Sequence, residues 1–398
     1  MSAPDDQQPA EATETAPAEE AHPGHASTRP AAPSVPSPPV PQPPAPQPTA
    51  SRSLAPVPGG AAGWLADRLG WDGIEAGLGK HRAPRRSFFF YLGGITLFLL
   101  LVQVASGILL VLYYRPDPAH ARESVEQIIG EIPYGDLIRA VHVWASDLFV
   151  ACLLAHMFTV IARRSFRPPQ ELTWLSGLAA LIGGIGLAFT GAILPWTEVA
   201  YTQARVGSQL AGRTPFIGEW LRRFLRGGEE VTIGTLGHAY GFHVAVLPAT
   251  LTLIVALHLF FLFRKPVVRA DAGDQETMPL YPDFIVHQAA AQTGVLVVIM
   301  TLAIFAERPL GPAANAAQST PLGSVPPWYM LPIHAIVRDA PRELLGIDGP
   351  RFLIGATCVL GVVVAALPFI DRRGSKITSW LAWFALAALL LLAVHALE

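Results

Sequence analysis

The sequence predicts an all-α integral membrane protein: a four-helix bundle followed by three further transmembrane helices. Two observations carry this. Seven apolar runs, at about 88–113, 138–161, 174–195, 238–263, 285–306, 352–370 and 378–396, reach the roughly 20 residues that cross a bilayer. Composition agrees: 51% of residues are hydrophobic, only 15% are charged, and mean hydropathy is +0.39. A soluble chain carries more charge and less apolar content.

The chain opens in a different material. Residues 1–62 are Pro- and Ala-rich, holding 16 of the 37 prolines by residue 60, with almost no aromatics. Such a segment buries too little apolar surface to offset its ordering entropy, so disorder is expected. Its acidic start (Asp5, Asp6, Glu11, Glu14) and lack of an apolar run argue against a secretory signal. His22 and His25 lie in it and are expected to be solvated. From Gly63 to Lys80, Trp64, Leu65, Leu69, Ile74 and Leu78 alternate with charged residues, as in an amphipathic helix lying on a membrane surface.

Orientation follows from the basic flanks. Lys80, Arg82, Arg85 and Arg86 precede the first span. Arg163, Arg164 and Arg167 follow the second; Arg264, Lys265 and Arg269 the fourth; Arg372, Arg373 and Lys376 the sixth. If the chain crosses each time, all four flanks share a side, which is then cytoplasmic. The N-terminus is placed there, in a bacterial-type inner (cytoplasmic) membrane. Arg222, Arg223 and Arg226, on the other side, weaken the contrast without reversing it.

Ionisable groups inside spans are costly and call for a function. His142 and His156 stand in the second span, His243 and His258 in the fourth, separated by 156 − 142 = 14 and 258 − 243 = 15 residues. Fourteen residues advance about 21 Å and fall about 40° short of four turns; fifteen advance about 22 Å and overshoot by about 60°. Each pair therefore faces roughly one way, and the two helices run in the same direction. The outer and inner pairs can each clamp one planar cofactor, and paired axial imidazoles are a usual way to hold b-type haem.

The first and third spans carry a matching period. Gly93 and Gly107, and Gly177 and Gly191, are each 14 apart. Gly costs about 1 kcal/mol in a helix interior, so four at the histidine period want a reason. Bare backbone lets a flat ring approach; close helix packing is the alternative for any one of them. The two cysteines, Cys152 and Cys358, form neither a CxxC nor a CxxCH pattern and are expected to be buried packing residues. The net charge of −2 argues against nucleic acid.

The runs LGGITLFLLLVQVASG (92–107), LIRAVHVWAS (137–146), QELTWLSG (170–177), GAILPW (191–196) and FHVAVLP (242–248) resemble cytochrome b of quinol–cytochrome c and b6f-type complexes. The likeness covers about 63–398. It implies a di-haem domain at 63–270 and a three-helix domain at 271–398, similar to the separate subunit IV of b6f-type complexes and here fused. It further implies two non-covalent b haems on His142/His243 and His156/His258, and quinol chemistry at both faces. The haems would carry electrons across the membrane and couple their passage to proton translocation. A Rieske iron–sulfur protein and a c-type cytochrome would be partners in a homodimeric complex. Arg139 would pair with a haem propionate, a positive flank residue being the alternative, and Asp283, His287 and Arg264 would serve the inner quinone site, ordinary interfacial anchoring being the alternative for these three.

Three positions depart from the family pattern. Tyr91 stands where the b6f-type has a haem-linking Cys, so no covalent c-type haem is expected. His238 replaces an Arg. The outer-site motif Pro-Glu-Trp-Tyr reads Pro326-Pro327-Trp328-Tyr329, and Pro cannot accept a proton. Glu198 is then the expected replacement base, with Tyr201, Trp328 and Tyr329 beside it; a solvated loop carboxylate is the alternative. Pro327 also favours a second reading, a di-haem quinone-reactive anchor that does not bifurcate electrons. A histidine-dependent transporter would leave the glycines unexplained. No role is expected for His120 or His395, and an ordinary loop position is expected for His334.

Overall fold

The structure, a computed structural model, describes residues 82–84, 88–264, 277–314, 326–372 and 376–397. The tail, the surface-helix segment 63–80, and the flank residues Lys265, Arg269 and Arg373 lie outside the described residues.

Among the described residues, seven helices are long and apolar enough to span a membrane, making this an all-α integral membrane protein. They are α1 (Leu92–Val111), α3 (Gly135–Ala162), α4 (Glu171–Ile193), α7 (Ile233–Arg264), α8 (Ile285–Phe305), α10 (Gly349–Ile370) and α11 (Lys376–His395). Their ends fall within a few residues of the expected bounds. The largest difference is α7, which starts at Ile233 rather than near 238. Thr232 builds the earlier start: its Oγ1 accepts from Gly234 N at 3.3 Å, and its own N–H donates to Thr235 Oγ1 at 3.0 Å. Gly234, Gly237 and Gly241 dilute the apolar pattern there and hide the first turns from a hydropathy reading.

Four short helices sit in the connections and were not expected: α2 (Ala121–Gly130), α5 (Glu198–Ala211), α6 (Gly218–Arg226) and α9 (Leu331–Arg338). Each is too short or too polar to register as a span. Thr197 starts α5 by accepting from Ala200 N at 3.3 Å, just after Pro195 has ended α4. In α6, Arg222 and Arg223 are spent on ion pairs with Glu219 and Glu229, while Arg226 is buried against Ser208 Oγ at 2.8 Å. Two of the three arginines are thus ion-paired within their own loop. Hydrogen bonds from Arg222 and then Arg223 hold the Glu219 carboxyl down at about 2.

The central core joins Ile95 and Leu99 of α1, Ala145, Phe149, Val150 and Leu153 of α3, Ala180 and Leu181 of α4, Leu251 of α7 and Ile299 of α8. A Cβ at Gly184 would lie 2.6 Å from Leu153 Cδ2 and 3.0 Å from Phe149 Cε1, so glycine there lets α4 close on α3. Large apolar side chains on the outer faces, such as Leu101, Leu253, Val362 and Trp380, are exposed. In a bilayer these meet lipid. The same fact corrects the expectation for cysteine: Cys152 is half-buried, but Cys358 is exposed on α10. An apolar span does not imply burial within protein, because its outward stripe faces lipid.

Candidate functional site

The glycines and histidines meet one to one. A Cβ at Gly107 would sit 3.3 Å from His142 Cε1, and one at Gly191 only 2.5 Å from His243 Cε1. At the other end, Gly93 faces His156 at 3.1 Å and Gly177 faces His258 at 3.1 Å. The start of α1 thus meets the deeper half of α3 and its end meets the shallower half, so α1 and α3 are antiparallel. The same holds for α4 and α7. Each imidazole lies close against a glycine, most tightly at Gly191.

The outer rings, His142 and His243, have centroids 6.2 Å apart and planes at 82°. Two imidazole–metal bonds of about 2 Å with two ring radii of roughly 1.1 Å span about 6 Å, so the pair fits axial ligands on either side of one metal ion. A cavity of about 270 Å³ beside them is lined mainly by apolar side chains, with Tyr114 and Arg139 at its polar edge.

Ring orientation is set by hydroxyl groups. Ser106 Oγ donates to Val102 O at 2.7 Å, which uses its one proton, so at 2.9 Å it must accept from His142 Nδ1–H. Ser176 donates to Thr173 O and accepts from His258 Nδ1–H at 3.1 Å. Thr190 donates to Gly186 O, and His243 Nδ1–H donates to Leu187 O at 3.0 Å. A proton on Nδ1 leaves the Nε2 lone pair for a metal. The sequence reading missed these three residues, although each immediately precedes one of the four glycines. The fourth glycine follows Leu92, and Nδ1 of its partner His156 is buried without a hydrogen-bond partner among the described residues.

The unequal spacings, 14 and 15, have a structural answer. Residues Phe242–Val246 form a π-turn, with Leu247 N donating to Phe242 O. A π-turn inserts one residue without the usual 100° advance, so 15 residues in α7 turn like 14 in α3. Pro248 lacks an N–H and crowds the carbonyl of residue 244, a known cause of such bulges.

The outer end of α3 also grips the loop after α8. Arg139 Nη1 donates to Arg308 O at 2.8 Å, Trp144 Nε1 to Ala306 O at 3.0 Å, and Asp147 pairs with Arg308. The Arg308 guanidinium lies 3.7 Å over the Trp144 ring. Trp328 Nε1 donates to Asp147 Oδ1 at 3.0 Å. Beside it, the Tyr329 hydroxyl is buried and has no hydrogen-bond partner among the described residues; burial, and then the Asp147 charge, push its phenol pKa up.

The other expected residues fall as follows. Glu198 begins α5 and its N–H donates to Pro312 O at 3.0 Å; its side chain hydrogen-bonds to none of the described residues. Tyr201 packs with Trp196 in a separate outer cluster, whereas Tyr329 packs on the central core. Trp328 and Tyr329 stay together with ring centroids 5.7 Å apart. His287 Nδ1 donates to Asp283 O at 2.7 Å, a contact within the start of α8, and Arg264 lies over Phe260. Tyr91 packs against Phe284, its ring centroid 5.1 Å away. His238 donates to Phe224 O at 2.9 Å, and His120 pairs with Asp117.

Comparison with known proteins agrees with this geometry. A family model described as cytochrome b/b6/petB matches residues 79–266, and one described as cytochrome b(C-terminal)/b6/petD matches 313–397. A relative named cytochrome bc complex cytochrome b subunit, from Chlorobaculum thiosulfatiphilum, is 32% identical over 323 residues, covering 79% of this chain and 74% of that one.

The chain belongs to the cytochrome b family.

Cytochrome b6 of Heliobacterium mobile is 38% identical over 197 residues, 48% of this chain and 92% of its own length. A solved chain titled "Hyperthermophilic respiratory Complex III" shares the fold, with a TM-score of 0.69 at 23% identity, covering 84% of this chain and 97% of that one. This cytochrome b therefore carries both the b/b6 region and the C-terminal b6-type region in one polypeptide, and the family implies b-type haem as its cofactor.

Proposed function

We propose that this cytochrome b is the membrane subunit of a quinol–cytochrome c oxidoreductase-type complex. It passes electrons from quinol through two b haems and couples this to proton translocation. The observation that carries the reading is the set of four glycine–histidine pairs at two levels. When bound, the haems supply one-electron redox steps across a medium that excludes ions.

The chain's own residues do the rest. His142 and His243 would hold the outer haem, and His156 and His258 the inner one. Ser106, Ser176 and Leu187 O fix the imidazole orientation, and the four glycines leave room for the macrocycles. Arg139, at the cavity edge, offers charge to a propionate. Asp283 and His287 would deliver protons to quinone at the cytoplasmic side, with Arg264 as a fixed positive charge beside them. A Rieske iron–sulfur protein and a c-type cytochrome complete a homodimeric complex, with 63–270 and 271–398 as the two working domains. The N-terminus lies in the cytoplasm of a bacterial cell, inside the inner membrane.

The test is a redox titration of the purified complex, followed by reduced-minus-oxidised spectra. Two b-type transitions are expected. His243→Leu should remove one and His258→Leu the other; a preparation with no b-type absorbance refutes the reading. Pro327 supports a second reading, a di-haem quinone-reactive anchor without bifurcation. It predicts two b centres but no Rieske signal and no sensitivity to outer-site inhibitors.

A further inference from the structure

We propose that Asp147 is the proton-accepting carboxylate of the outer quinol site, facing substrate together with Tyr329. This rests on the quinol-oxidation reading above. Asp147 lies five residues beyond His142 on α3, a turn of about 140° and an advance of about 7.5 Å, so it points away from the haem cavity and toward the loop after α8.

Three features make it a working site. The carboxylate side chain is 31% exposed, so a ligand from the membrane edge can reach it. Its two protein partners leave acceptor capacity: Trp328 takes Oδ1 and Arg308 takes Oδ2, while a carboxylate offers about four lone-pair positions. Beside it the Tyr329 hydroxyl is buried with no hydrogen-bond partner among the described residues, and it is placed to hydrogen-bond a quinol oxygen. An orphaned hydroxyl next to a half-open carboxylate is what a ligand with its own O–H groups would complete.

The electrostatics permit the charge change. Among the described residues, the charged and titratable groups that face Asp147 are Arg308, from the loop after α8, and Tyr329, from the turn before α9; Arg139 of α3 donates to the Arg308 carbonyl. In the step proposed, the quinol O–H bond breaks, an O–H bond forms on Asp147, and the substrate is left as the quinolate anion. Arg308 loses its ion-pair partner in that step. It is still held by the Trp144 ring, and its charge then lies near the new anion. Among the described residues Asp147 is the carboxylate that hydrogen-bonds to the Trp328–Tyr329 turn, whereas Glu198 makes no hydrogen bond to it.

The experiment compares the wild-type complex with Asp147→Asn, Asp147→Glu and Glu198→Gln. Duroquinol is the probe. Initial rates sensitive to an outer-site quinol analogue are measured from pH 5 to pH 9, beside dithionite-reduced b spectra. Asn still accepts from Trp328 but cannot take a proton at this position. Asp147→Asn should lower the rate by about 10²-fold or more and remove the acid limb of the profile, with both b centres intact. Asp147→Glu should keep a shifted limb. A wild-type rate and profile in Asp147→Asn overturns the proposal. So does a rate loss with an unmoved pH profile, which assigns Asp147 to holding the turn. Loss of the acid limb in Glu198→Gln instead overturns it too. If the wild-type complex, with both b centres present, oxidises no duroquinol at an inhibitor-sensitive site, the outer quinol site itself is refuted and the proposal falls with it.

Discussion

At the residue scale, the four glycines are not equivalent. The Cβ added at Gly191 lies 2.5 Å from His243, closer than real Cβ atoms come, while the one at Gly107 lies 3.3 Å from His142. Gly191→Ala should therefore cost the outer b centre, and Gly107→Ala should only shift it. Redox titration of the two variants measures this directly, and equal behaviour would contradict the packing argument. The hydroxyl residues give a second expectation. Ser106→Ala and Ser176→Ala each strip the acceptor from an imidazole Nδ1–H and should weaken haem retention about 10- to 100-fold, by the usual scale of such orienting contacts. Haem-to-protein ratio after detergent washing is the readout. His156 has no such partner, so Leu92→Ser, which places a hydroxyl in the equivalent position, should tighten retention of the inner centre. The pattern Ser106-Gly107, Ser176-Gly177, Thr190-Gly191 was present in the sequence. It carried no signal there, because a hydroxyl before a glycine matters only once a ring is known to face both.

At the element scale, α7 depends on its π-turn. Deleting Ala245 would convert the turn to α-helix and leave His243 and His258 at the same 14-residue spacing as α3, so both b centres should survive. Deleting Val255 instead keeps the turn and rotates His258 by about 100°, which should abolish the inner centre. Spectra of the two deletions decide it. The short helix α9 is tied to the end of α11 through Asp339, which accepts from Arg338 and from His395. The hydrogen bond from Arg338, and then that from His395, hold the Asp339 carboxyl below its ordinary range. A depressed folded pKa contributes stability above the unfolded value and loses it as pH falls through the folded one. Amide exchange in α9 should therefore rise on acidification below about pH 4, and Asp339→Asn should remove that rise. The effect should be small, because the pair is exposed to water.

At the scale of the whole molecule, the C-terminal helices are stitched onto the four-helix unit by polar contacts between distant residues. Gln292 Nε2 donates to Gly94 O at 3.0 Å, Trp174 Nε1 to Val364 O at 3.1 Å, and Ser379 Oγ to Ala162 O at 2.8 Å. Such bonds count for more where lipid offers no alternative partner, although the gain per bond is about 1 kcal/mol. A gene split between Arg264 and Thr277 should accordingly yield two polypeptides that copurify with both b centres. Recovery of the N-terminal piece alone would mean that the shared interface is weaker than these contacts indicate.

The sequence by itself determined the membrane class, the seven spans, and the two histidine and glycine registers. These are local and periodic quantities: apolar length, a 3.6-residue turn, and intervals along one helix. Even the 15-residue interval was legible, though its absorption by a π-turn was not. Only the tertiary structure decided which carboxylate meets the Trp328–Tyr329 turn. Glu198 follows a recognisable ProTrp and looked the natural replacement; Asp147 reaches Trp328 across 181 residues of chain. A side-chain contact over that separation is fixed by how α3, α8 and the turn before α9 pack, and no spacing within one segment encodes it.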